Sequence, residues 1–235
     1  MACLLSVGGC ESATAPTAAA AKPFAFPMGL GSYWHYEITL HVRLDTTQHH
    51  PLCEFDNLEM EYSRSDTVTV SITGTDTITA NGQAARRLQY SKGLYGVDWW
   101  FERLWVTGGS GTVSEPLLFW ASPLDSRPAI VFQRPLEDGS SWVCSDCWFM
   151  SGPDYQQYRV EYVPVLRTNA GVFTGLYKVS HTFSCGDECG GLMSWWLKPD
   201  VGIVRLTQSQ SSGGSPCVSS YSDATWELTE YKVSR

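Results

Sequence analysis

Tyr36-Glu37-Ile38-Thr39-Leu40-His41-Val42-Arg43-Leu44-Asp45 decides the fold class. Tyr36, Ile38, Leu40, Val42 and Leu44 take every second position, with Glu37, Thr39, His41, Arg43 and Asp45 between them. Successive side chains of a strand point to opposite faces, so this period of two predicts a strand buried on one face and wetted on the other. The pattern returns with Val68, Val70 and Ile72 among Thr67, Thr69, Ser71 and Thr73, and with Tyr158, Val160 and Tyr162 around Arg159 and Glu161. It returns again with Tyr177, Val179, His181 and Phe183 among Lys178, Ser180 and Thr182. Asn81-Gly82, Gly108-Gly109, Asp138-Gly139 and Gly190-Gly191 are turn signals between such runs. Only Cys53 to Tyr62 has helical spacing, with Phe55, Leu58 and Tyr62 on one side. The expectation is an all-β protein of roughly ten to fourteen mostly antiparallel strands, forming a twisted sheet, half-barrel or barrel-like sandwich.

Composition narrows the function classes. With 235 residues, 43% of them hydrophobic and 17% charged, the chain can bury a sizeable core and is unlike a disordered segment or a coiled coil. Sixteen basic against twenty-four acidic residues give a net charge of −8 without a basic stripe, which argues against a nucleic-acid partner. Neither G-x-S-x-G nor H-E-x-x-H occurs, nor a phosphate-binding loop or an Asp-rich calcium loop. No enzymatic activity, cofactor or metal is therefore expected. His49-His50 with Cys53 offers three potential ligands, but a polar loop bounded by Pro51 explains them as well. His181, on an apolar strand face, reads as a core histidine.

The chain reads as written twice. Pro27-Met28-Gly29-Leu30-Gly31-Ser32-Tyr33-Trp34 and Pro135-Leu136-Glu137-Asp138-Gly139-Ser140-Ser141-Trp142 share P-x-x-x-G-S-x-W. Asn81 to Leu88 parallels Asn169 to Phe173, and Trp99-Trp100-Phe101 parallels Trp195-Trp196-Leu197, so the three matches stand in order at offsets of 108, 88 and 96 residues. Two similar units are expected, about 26–115 and 134–210, with insertions near 45–62 and 184–193 and a C-terminal strand around Trp226 closing one edge. Residues 26–235 then form one β domain.

The front of the chain reads as an address. Met1 to Gly9 is apolar and ends in small residues, the pattern of a secretory signal. Val7-Gly8-Gly9-Cys10 resembles a bacterial lipobox, which implies a signal over residues 1–9, lipidation of Cys10 and a tether through residue 25. The first basic residue is Lys22, so a start upstream of Met1, or else an untethered N-terminal tail, is the alternative expectation. Six further cysteines, Cys53, Cys144, Cys147, Cys185, Cys189 and Cys217, suit an exported, disulfide-bonded domain. Cys144–Cys147 and Cys185–Cys189 are close enough in sequence for local bridges, which leaves Cys53–Cys217. A zinc site of Cys144, Cys147, Cys185 and Cys189 is the rival reading, and a dithiol at Cys144 and Cys147 a third.

Phe26-Pro27-Met28-Gly29-Leu30-Gly31-Ser32-Tyr33-Trp34-His35-Tyr36 resembles the FPL-x-x-G-N-x-W-x-Y opening of many bacterial envelope lipoproteins of unknown function. Asn169-Ala170-Gly171-Val172-Phe173 with Tyr177-Lys178-Val179, and Trp196 to Val204, are similar to two later segments of that family, P-A-G-x-F and G-V-G-x-V. Ser32 stands where the family has Asn, Asn169 where it has Pro, and the Cys-bearing insertions are additional. The resemblance implies a curved antiparallel sheet, a lipid anchor in the bacterial cell envelope and no established activity.

Ten tryptophans leave one further clue. In each of the pairs Trp99-Trp100 and Trp195-Trp196, one ring should face the core and the other outward, so all four are candidate ligand contacts. Burial of both members is the competing account. The expected partners are a membrane, through the anchor, and a lipid or glycan ligand. The leading reading is a non-enzymatic envelope lipoprotein that binds an apolar or amphipathic ligand or scaffolds other envelope components. A carbohydrate-binding module using exposed Trp is the alternative, with a hydrolase behind it.

Overall fold

The alternating runs become the long strands of one sheet. The computed structural model describes residues 27, 29–45, 59–77, 84–91, 104–106, 116–120, 129–133, 136–143, 157–184, 189–215 and 218–234. Among them are twelve strands and no helix: β1 (Tyr33–Asp45), β2 (Glu59–Thr77), β3 (Ala84–Tyr90), β4 (Leu104–Val106), β5 (Pro116–Trp120) and β6 (Ala129–Gln133), then β7 (Ser141–Val143), β8 (Gln157–Thr168), β9 (Gly171–Ser184), β10 (Cys189–Lys198), β11 (Gly202–Ser215) and β12 (Val218–Lys232). The expected all-β class is the class observed.

The order across the sheet is β6-β5-β4-β3-β2-β1-β12-β11-β10-β9-β8-β7, with antiparallel pairing throughout. Consecutive strands are neighbours everywhere except at β6 and β7, which form the two ends of an unclosed sheet. The strand around Trp226 was expected at an edge. It lies instead in the middle, between β1 and β11, because it is the partner that satisfies the second side of β1.

This order forces curvature. Eight peptide steps join Gln133 to Ser141 and span at most about 29 Å, whereas the edges of a flat twelve-stranded sheet would stand about 53 Å apart. Contacts that skip a strand lie on the same curl. The Trp34 Nε1–H of β1 reaches past β12 to donate to Val201 O at 2.6 Å, and the Tyr36 hydroxyl donates to Ile203 O at 2.8 Å. From the other side, the β8–β9 turn docks on the sheet, with Ala170 N donating to Leu228 O at 2.9 Å.

Both P-x-x-x-G-S-x-W segments lead into their strands through the same bonds. Gly31 N donates to Ile72 O (3.1 Å), Ser32 N to Gly29 O (3.1 Å) and Ile72 N to Ser32 O (2.9 Å). In the later segment Gly139 N donates to Val160 O (3.0 Å), Ser140 N to Glu137 O (3.0 Å) and Val160 N to Ser140 O (2.8 Å). Gly31 and Gly139 adopt φ of 80° and 79°, a left-handed backbone that glycine takes without strain.

Two local expectations are corrected. Glu59 to Tyr62 does not continue a helix from Cys53 but opens β2, where it pairs with Asp45 to Val42; an isolated helix of that length is marginal in water, and the ladder to β1 wins. Gly190-Gly191 is not a turn. It lies inside β10, held between Ser184-Phe183 of β9 and Ser211-Gln210 of β11. Gly202, the first residue of β11, has φ of 101°, and the β10–β11 register shifts between Trp196 and Leu197, where Val204 is the extra residue.

Candidate functional site

Alternation gathers the apolar residues on the concave face in cross-strand rows. One row runs Val160, Val179, Trp195, Leu206, Trp226 and Ile38 from β8 to β1, and every member is buried. The next runs Trp142, Tyr158, His181, Met193, Gln208, Ala224 and Leu40 from β7 to β1. Trp142 stacks on Tyr158 with ring centroids 5.0 Å apart, and Tyr158 on His181 at 4.2 Å, both pairs nearly parallel at 5°. His181 is 1% exposed, and burial pushes its pKa down to about 4. Burial likewise raises the Tyr158 phenol. Both rings are therefore neutral near pH 7, and this stretch of the face can pack and stack but carries no charge there.

Beyond this row the face opens and divides. On one side β1 and β2 present Leu40, Val42, Leu44, Met60 and Tyr62; the last two are 47% and 48% exposed. On the other side β11 and β12 present Gln208, Gln210, Ser220 and Ser222. Gln208 is only 4% exposed; its Nε2 donates to Gln210 Oε1 at 3.2 Å, and its Oε1 has no partner. Arg64 faces the same way from β2 and pairs with Asp66 at 3.5 Å.

The tryptophans of β10 divide as alternation requires. Trp195 is buried on the concave face, while the half-buried Trp196 lies on the opposite face beneath Lys178 Nζ and the Arg205 guanidinium, 5.4 and 5.9 Å from its ring centroid. Arg205 is itself held by Glu227 Oε2 at 3.0 Å. Trp99 and Trp100 lie outside the described residues, as do Cys10, Cys53, Cys144, Cys147, Cys185 and Cys217. Cys189 is described only by its backbone in β10, so the disulfide and zinc readings also fall outside the described residues.

Two features escaped the sequence reading. Gln208 continues the Val204, Leu206 alternation onto the concave face, a signal present in the sequence but masked by its polarity. His41 Nδ1 lies 3.0 Å from Ser63 Oγ, and His41 Nε2 3.3 Å from Glu61 Oε1. Only the β1–β2 register, which sets His41 opposite Ser63, could reveal that cluster. The three groups stand on an exposed, regular strand pair opposite the concave face, the setting of a surface cross-strand ladder. Among the described residues no group of three or more His, Cys, Asp or Glu is placed to hold a metal ion.

No protein-family model matches this chain, and no curated protein matches it.

Proposed function

We propose that the protein is a non-enzymatic lipoprotein of the bacterial cell envelope, exported and anchored through Cys10, whose concave face receives an apolar or amphipathic ligand. The observation that carries the ligand reading is the divided opening of that face. Leu40, Val42, Leu44, Met60 and Tyr62 offer hydrocarbon contact on one side, and Gln208, Gln210, Ser220 and Ser222 offer hydrogen bonds on the other. An amphiphile lying across the sheet matches both halves at once, and exposed apolar surface rimmed by polar groups is the usual mark of a binding surface. The anchor rests on Val7-Gly8-Gly9-Cys10 and the small-residue segment behind it.

Titration with 12-bromododecanol tests the ligand reading, because bromine quenches tryptophan fluorescence on contact. We expect saturable quenching that Leu44→Glu weakens at least fivefold. Non-saturable quenching, or saturation indifferent to Leu44→Glu, overturns it. Expressed with its full native leader, the Cys10→Ala variant should leave the membrane fraction, since the lipid supplies most of the membrane affinity. Unchanged membrane association overturns the anchor.

A further inference from the structure

Resting on that reading, we propose that Gln208 is the head-group contact and that the site prefers an amphiphile whose neutral head donates a hydrogen bond, a hydroxyl or an amide. Gln208 is on the concave face between Met193 of β10 and Ala224 of β12, at the boundary between the buried rows and the open mouth. Its amide is half used. Nε2 is committed to Gln210, whereas the buried Oε1 is an acceptor without a donor. Buried carbonyl oxygens are rarely left in that state, because the lost hydration is not repaid. A hydroxyl or amide N–H from a bound head group supplies the missing donor.

The surroundings set the charge of that head. In the row of Gln208, the next polar group toward β7 is His181, which is buried and neutral near pH 7. Toward β2 the row passes Ala224 and Leu40 before reaching Arg64, whose charge is already met by Asp66. A carboxylate cannot donate to Gln208 Oε1, and a quaternary ammonium has no N–H to give.

Three probes of equal chain length, dodecanol below its solubility limit and dodecanoate and dodecyltrimethylammonium below their micelle concentrations, separate these cases at pH 7.5. Displacement of bound 12-bromododecanol reports each affinity through recovered tryptophan fluorescence. Dodecanol should bind tightest, and Gln208→Met, which keeps volume but removes the acceptor, should weaken dodecanol about tenfold and leave the other two unchanged. Equal affinities for the three, or dodecanol binding indifferent to Gln208→Met, overturn the head-group assignment and leave the amphiphile reading standing. If neither 12-bromododecanol nor any of the three probes binds, both fall.

Discussion

Burial holds the His181 ring neutral, and that has a pH-dependent consequence. Its folded pKa, about 4, lies below the ordinary value of about 6.5, so between those limits the unfolded chain takes up a proton that the folded chain refuses. The stabilisation from a neutral His181 is full above pH 6.5 and is lost as pH falls toward 4, amounting to about 3 kcal/mol at the lower limit. Urea unfolding at pH 7.5 and 4.5 checks this. The wild type should lose more stability between them than His181→Phe, which keeps a flat ring against Tyr158. A parallel loss in both proteins would assign the effect to carboxylates elsewhere. The non-enzymatic reading makes its own residue-level prediction for His41, Ser63 and Glu61. A fluorophosphonate probe should leave Ser63 unlabelled, and labelling that Ser63→Ala abolishes would argue for a hydrolase.

At the scale of elements, the two glycine turns carry a sharp expectation. An added Cβ at Gly139 would meet nothing within 4 Å, so the cost of Gly139→Ala comes from its φ of 79° alone, about 1–2 kcal/mol. Gly139→Asn should recover part of that loss, since Asn tolerates the left-handed region, and thermal melts of the two variants measure the difference. A fully tolerated alanine would mean that the turn relaxes. How far elements were legible depended on what their signal needed. The strands around Ile38, Val70, Val160 and Val179 announce themselves because alternation is a property of adjacent residues. Trp195 and Trp196 were assignable to opposite faces for the same reason. Glu59 to Tyr62 was not legible, because its strand state comes from β1, a partner that local spacing does not reveal.

At the largest scale, the described residues form a sheet whose first and last strands pair at its centre and whose two ends are β6 and β7. Removing β12 would therefore expose β1 and β11 together, and Trp226→Ala in that strand should cost about 3–5 kcal/mol, read by chemical denaturation. A loss below 1 kcal/mol would mean that the centre of the sheet is loosely packed. The export reading predicts that the six cysteines are oxidised, so alkylation of the unfolded, unreduced protein should label none of Cys53, Cys144, Cys147, Cys185, Cys189 and Cys217. Labelling of the middle four, with stoichiometric zinc, would move the function to a metal site. By itself the sequence determined the all-β class, the inward and outward faces of the main strands and the Asp138-Gly139 turn. Each depends on side-chain identity within a few residues. Tertiary structure alone decided that β12 joins β1 and that Gln208 lies in one row with Ala224 and Leu40. Those facts depend on pairing between residues up to about 200 positions apart, and the entropy of closing such loops rises too slowly with length for sequence distance to select the partner.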